Sequence, residues 1–259
     1  IMTGGSDLSA GSVAAFGGVF IAWGLKNTSM NWVLLALIVL AASSVAGIIN
    51  GLMVTRLNIV PFIATLVSQS LWRGCAYLLC DGRPIAISDA GLKSLGNGMV
   101  FGSVPYPVIM TILLFAVFAF VLSSTKFGRS IFAIGGNERT ARVAGMGVDR
   151  TKILVFAING VLAALAGIFL AANLRSSAPT IGDPFTLKIV AACALGGTSL
   201  AGGKGGVVNT IVGVLIMTVL DNGLVMLNVN PNIRTGVQGV IILVAVILTA
   251  ARGAKVISK

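Results

Sequence analysis

The residues able to do chemistry in this chain are few, and most of them interrupt otherwise apolar stretches. Asp7, Ser9 and Ser12 follow the pair Gly4-Gly5 at the head of the apolar stretch 8–25. Asn50 lies near the end of 32–54, Arg73 breaks 59–80, Asn159 falls within 153–173 and Asp221 within 206–227. No nucleophile is spaced from a base as acyl or phosphoryl transfer would need. There is no histidine, the commonest general base and metal ligand. The cysteines, Cys75, Cys80 and Cys193, form no Cys-x-x-Cys pair and read as small hydrophobes, so neither a metal nor a catalytic site is expected. Gly202-Gly203-Lys204-Gly205-Gly206 lacks both the spacing of a phosphate-binding GxxxxGK[ST] loop and a hydroxyl after its lysine. The chemistry left to hydroxyls, carboxamides and a carboxylate in such surroundings is hydrogen bonding, to a polar solute or to one another. Each has a structural alternative. Asp7 or Ser9 caps the helix 8–25. Asn50 and Asn159 bridge helices. Arg73 faces a path or snorkels outward, and Asp221 pairs with a cation or reaches interfacial water.

The elements that hold these residues follow from composition. Of 259 residues 56% are hydrophobic and only 10% charged, with a mean hydropathy of +1.01. A soluble domain carries about 25% charged residues, so this chain cannot cover its surface for water and must face lipid. The 33 glycines agree, because small residues let membrane helices approach closely. A net charge of +11 without a basic stripe interleaved with aromatics excludes a nucleic-acid binder. About 20 apolar residues cross the hydrocarbon as a helix. That length reads spans at 8–25, 32–54, 59–80, 106–122, 153–173, 206–227 and 233–250. The Gly-rich stretch 185–201 reads as a short span or a broken helix. The expected fold is all-α, a single polytopic transmembrane helical bundle over 1–259 with about eight spans, some short or broken. Gly4-Gly5 and Gly196-Gly197 mark breaks, tolerated only where backbone lines a cavity or is buried in protein. The chain opens on Ile1 with no cleavable signal pattern and reads as starting part-way along a helix, which predicts further residues before it.

If each stretch crosses, Arg56, loop 123–152, Lys204 and the tail share one side, with eleven basic residues against seven on the other. The positive-inside rule then places loop 123–152 and the C-terminus in the cytoplasm. The opposite loop 81–105, rich in turn formers, is expected to form a small cap or re-entrant piece. Within 123–152, Asn137 suits an N-cap, Glu138 the first turn and Gly145 a helix end, which together predict a two-turn helix. It is either a solvated connector or a docking element that passes motion from a soluble partner into the membrane.

Four stretches carry a resemblance. Gly135-Gly136-Asn137-Glu138-Arg139-Thr140-Ala141-Arg142-Val143-Ala144-Gly145 resembles the coupling loop of permease subunits of bacterial ABC sugar importers of the ribose/xylose/allose branch, with Glu138, Ala141, Arg142 and Gly145 fitting the pattern. Gly4-Gly5-Ser6-Asp7-Leu8-Ser9, Phe62-Ile63-Ala64-Thr65-Leu66 with Arg73-Gly74, and Leu195-Gly196-Gly197-Thr198-Ser199-Leu200-Ala201-Gly202-Gly203 resemble three more of that family's motifs, in the same order. Ser6 and Asp221 depart from the family pattern.

The resemblance implies a membrane permease with about ten spans, without a catalytic site or cofactor of its own. ATP and Mg belong to partner ATPase subunits. Other implied partners are a periplasmic sugar-binding protein and a second permease, homo- or heterodimeric, in the bacterial inner membrane. It implies import of a ribose-like pentose or a hexose by alternating access. Coupling would fall to Asn137, Glu138, Arg139, Ala141, Arg142 and Gly145. The substrate path would run by Asp7, Ser9, Ser12, Phe62, Thr65, Arg73 and Asn159, and Gly4, Gly5, Gly196, Gly197, Gly202 and Gly203 would shape the backbone. The competing readings are a self-contained ion-coupled transporter or channel, for which only Asp7 and Asp221 are available as carriers, and a passive membrane scaffold.

Overall fold

The computed structural model describes residues 1–230, 233–237, 239–241 and 243–244. The expected span 233–250 lies partly outside the described residues, and the tail with Arg252, Lys255 and Lys259 wholly so. Contacts group the chain into two compact units. One comprises Ile1–Ser6, Phe115–Val148 and Leu187–Lys259, the other Asp7–Leu114 and Asp149–Thr186.

In the larger unit, α1 (Ala10–Asn27) is enclosed by α2 (Trp32–Thr55) and α3 (Pro61–Cys80) and by α8 (Val148–Leu174), and twelve of its eighteen residues are buried. Small residues make this enclosure possible. Ser43, Gly47 and Gly51 recur every fourth residue on α2, one stripe along the helix. A Cβ on Gly51 would lie 2.7 Å from the Ile153 Cα, and one on Gly47 would overlap the Phe156 carbonyl, both on α8. Gly167 of α8 meets the Ala14 backbone on α1 in the same way. Helix association in lipid rests on such packing, because the lipid is as apolar as leucine. Val19, Ile21, Leu35, Leu92 and Ile168 fill the core, and the Phe16 ring packs tilted against Trp72, centroids 4.9 Å apart.

The loop 81–105, expected to be a small cap or a re-entrant piece, folds into short strands and one short helix. Its strand β1 (Ile85–Ala86) pairs antiparallel with β4 (Ser176–Ser177). Its helix α4 (Ala90–Asn97) is capped by Asp89, which accepts the Leu92 amide at 2.7 Å. The Asn97 carboxamide donates to the Ala172 carbonyl at 3.1 Å and so ties α4 to the end of α8. A hairpin of β2 (Met99–Val100) and β3 (Val104–Pro105) then leads into α5 (Tyr106–Ser124). No residue of α5 is buried within the chain, as expected of a helix apolar all round that faces lipid or another subunit.

The other unit holds α6 (Lys126–Gly136), α7 (Glu138–Val143) and the helical pair α9 (Asp183–Leu195) and α10 (Val207–Met226), of which α9 begins in the larger unit. Among the described residues, α2, α5, α8 and α10 are both long and apolar enough to cross a membrane. With α1 and α3 of comparable length, this is a polytopic helical membrane protein. At 13 residues α9 is about 20 Å long, short of the roughly 30 Å hydrocarbon core. It ends in the left-handed Gly197, with Thr198 N–H bonded to the Cys193 carbonyl, so the stretch 185–201 is a broken element.

Candidate functional site

The segment before α1 is not helical, and Asp7 organises it. Its Oδ1 accepts the Ser9 amide at 2.8 Å and the Ser9 hydroxyl at 2.6 Å. Its Oδ2 accepts the Asn159 carboxamide of α8 at 2.7 Å. Ser9 in turn accepts the Asn50 carboxamide of α2 at 3.0 Å. Residues 41 and 152 positions away in sequence thus converge on the Asp7–Ser9 turn, Asn159 on the carboxylate and Asn50 on the Ser9 hydroxyl. Ser9 is the N-cap residue, yet its side chain bonds no helix amide, and the turn is held by Asp7 instead. The capping reading of Asp7 and Ser9 does not hold, since neither side chain accepts a helix amide, whereas Asn50 and Asn159 do bridge, tying α2 and α8 to the turn before α1. Among the described residues, the buried Asn50 Oδ1 of this network has no hydrogen-bond partner, nor has the buried Ser12 Oγ in the first turn of α1. Leaving a buried polar atom unpaired costs about 1–3 kcal/mol. An acceptor and a hydroxyl without partners beside a non-helical start suit a solute rich in hydroxyl groups.

The remaining expected path residues lie elsewhere. Arg73 forms an ion pair with Asp183 at the start of α9, and its buried Nε has no partner among the described residues. Thr65 is fully buried and donates to the Pro61 carbonyl of its own helix at 2.9 Å, while Phe62 is 53% exposed. Asp221 takes the first of its two readings and pairs with Lys188, joining α10 to α9. The seam around that pair is made of small residues, with a Cβ on Gly213 overlapping the Ala192 carbonyl. Removing Lys188 alone (Lys188→Met) leaves a carboxylate in an apolar seam. That variant should lose about 2 kcal/mol, less than the 3–5 of a fully buried pair because a quarter of each side chain is exposed. Adding Asp221→Leu should restore most of the loss, as read by thermal unfolding in detergent.

The segment expected to couple holds the predicted two-turn helix, α7 (Glu138–Val143). The Asn137 Oδ1 accepts the Thr140 amide at 3.0 Å. Gly145, at φ +77°, ends the helix with the Met146 amide bonded to the Ala141 carbonyl. Ala141 is buried against Ile134 and Val148. The opposite face is exposed, with Glu138 and Arg142 paired at 3.3 Å beside Arg139. Val143, 85% exposed, completes that face and was not expected from the sequence, although an apolar residue inside a polar two-turn helix is itself a signal.

Sequence reading also missed α6. Its signals are Thr125, whose hydroxyl accepts the Gly128 amide at 3.1 Å as an N-cap, and Phe127, Ile131 and Ile134 at helical spacing. The end of α6 meets two other Gly-rich segments backbone to backbone. The Gly203 amide donates to the Met2 carbonyl at 2.9 Å. A Cβ on Gly202 would lie 2.6 Å from the Gly4 nitrogen and 3.0 Å from the Gly135 oxygen, and one on Gly203 would lie 2.7 Å from the Gly136 Cα. A Cβ on Gly135 would overlap the Met2 carbonyl. Gly4, Gly202 and Gly203 have φ of +77°, +93° and +72°. The Lys204 loop and the coupling segment therefore adjoin, in keeping with the expectation that they share one side.

A partly buried polar network at a non-helical start, within a bundle of membrane-length helices, marks a multi-pass membrane protein with polar groups held inside it. The chain belongs to the family described as the permease component of branched-chain amino acid transport systems, which matches residues 1–246. It is 40% identical over 256 residues to the ribose import permease protein RbsC of Bacillus subtilis (strain 168), across 98% of this chain and 79% of that one. It is 38% identical over 247 residues to the L-arabinose transport system permease protein AraH of Escherichia coli (strain K12), across 95% of this chain and 75% of that one. The resemblance drawn from four short motifs thus extends along the chain. No solved structure matches it.

Proposed function

We propose that this chain is the membrane-spanning subunit of an ATP-driven importer that carries a monosaccharide into the cytoplasm. The observation that carries the proposal is the hydrogen-bonded set Asp7, Ser9, Asn50 and Asn159 at the break before α1. Carboxylate, carboxamide and hydroxyl groups are the partners a sugar's hydroxyls need, and they sit where a helix is interrupted inside an apolar bundle. The relatives named for ribose and L-arabinose favour a pentose.

Loop 123–152 and the C-terminus face the cytoplasm in this reading, following the excess of basic residues on their side. The exposed face of α7, formed by Glu138, Arg139, Arg142 and Val143, docks an ATPase subunit. Two permease chains and an external sugar-binding protein complete the transporter. Nucleotide binding and hydrolysis occur on the ATPase, and this chain converts the resulting movement of α7 into alternating access around Asp7.

The docking role has a direct test. The Glu138–Arg142 pair is exposed, so Glu138→Ala with Arg142→Ala should leave folding within about 0.5 kcal/mol of the parent. ATP-driven uptake should fall about tenfold or more as interface contacts are lost. Unchanged coupling and uptake in that double variant would remove α7 from the mechanism.

A further inference from the structure

We propose that the cavity beside α6 is a binding site for an anionic phospholipid, with an acyl chain in the cavity and the phosphate on Lys126, Arg129 and Lys204. The cavity has a volume of about 490 Å³ and lies between the last turn of α5, α6 and the first turn of α10. Its walls include Phe120, Leu122, Phe132, Val207 and Val208, and Ser123 is the one polar side chain lining it. The volume falls in the ~300–1,000 Å³ range of small-molecule sites, but the walls offer little for a polar ligand to bond. They suit a hydrocarbon chain.

The cavity's position sets the height of its ligand. It lies where the apolar α5 gives way to the polar α6, after a run without a charged residue from Ser94 to Thr125. The helix α6 buries Gly128, Ile131 and Ile134 within the chain and presents Lys126 and Arg129 outward, directly after the apolar α5. Lys126 stands three residues beyond Ser123, Arg129 one turn before Phe132, and Lys204 is bonded to Gly205 of the cavity wall. All three are exposed, and none makes an ion pair among the described residues. The carboxylates of this unit, Glu138 and Asp221, are engaged by Arg142 and Lys188. Three uncompensated cations around an apolar cavity at an interface match a phosphate joined to an acyl chain better than they match a protein surface.

Native mass spectrometry of the full chain tests this in detergent with equal amounts of phosphatidylglycerol and phosphatidylcholine bearing the same chains. Each cation near a membrane surface favours an anionic lipid about fivefold, so the parent should retain phosphatidylglycerol over phosphatidylcholine by at least about tenfold. The combination Lys126→Gln, Arg129→Gln and Lys204→Gln should bring the two lipids to near parity with an unchanged melting temperature. Val208→Trp, which fills the cavity and spares the cations, should reduce retention of both lipids, and with Lys204→Gln alone it decides the case if the triple variant does not fold. Undiminished preference in the triple variant overturns the proposal. So does a triple variant that loses ATPase association or self-association while keeping the parent's lipid preference, since the cations then serve a protein partner.

Discussion

Replacing Asp7 with alanine is expected to lower sugar uptake by a hundredfold or more, since hydrogen bonds to a charged group contribute about 1.5–3 kcal/mol each, three are lost, and about 2.7 kcal/mol on the transport barrier is already a factor of 100. The loss is not confined to contacts with a solute. Without the carboxylate the Ser9 amide and hydroxyl and the Asn159 carboxamide are stranded, and the turn into α1 loosens. A conservative exchange separates positioning from mere folding. Asp7→Asn keeps an acceptor for Ser9 but sets an amide group against the Asn159 amide, donor against donor. Adding Asn159→Asp returns an acceptor to that contact. Uptake should therefore fall in Asp7→Asn and recover in part in the double variant, with the recovery read in initial uptake rate at matched protein level. If Asn159→Asp worsens Asp7→Asn, the two residues do not act as the pair that the geometry implies.

The second large effect is expected at the glycine junction. Gly135 and Gly136 are consecutive residues of the last turn of α6, and by helix propensity alone alanine at either position should be favourable by up to about 1 kcal/mol. Their surroundings predict opposite outcomes. A Cβ on Gly135 runs into the Met2 carbonyl and the Gly203 amide, and the obstructing atoms are backbone that cannot rotate away. A Cβ on Gly136 meets nothing within 4 Å. Gly135→Ala should cost several kcal/mol or part the junction, as overpacking against a rigid wall does, on the order of 1–3 kcal/mol or more. Gly136→Ala should be neutral. Where Gly135→Ala still folds, ATP hydrolysis should continue while uptake falls, because α6 leads directly into α7 and the junction ties it to the segment that precedes Asp7. Equal behaviour of the two variants in melting temperature and in uptake per ATP would show that the contact carries nothing.

Much of the helical layout was legible because membrane helices announce themselves locally. Length and apolarity located α2, α5, α8 and α10 to within a few residues, apart from the start of α8, which extends into the polar stretch as far as Val148. The Gly-rich ends foretold the break after α9. The polar residues of the Asp7 network were also picked out singly, since a carboxylate or carboxamide in an apolar stretch is conspicuous. Their partnership was not legible. Asn50 and Asn159 reach the Asp7 turn through tertiary packing of α2 and α8, and local sequence carries no trace of which distant donor meets which acceptor. The same holds for Arg73 with Asp183 and for Lys188 with Asp221. Sequence offered snorkelling or interfacial water as alternatives because those need no partner. The convergence of Gly4, Gly135, Gly136, Gly202 and Gly203 was hidden for a different reason. Each pair reads locally as flexibility, and only the fold turns that into close backbone contact. Helix α6 was missed because its apolar positions sit inside a stretch chosen for its charge.

The most direct measurement is accumulation of labelled pentose by the chain in proteoliposomes with its cognate ATPase and sugar-binding protein, under no ion gradient. The account predicts saturable uptake that requires ATP and both partners and that is lost in Asp7→Ala. Uptake by this chain alone, driven by an ion gradient without ATP, would contradict it.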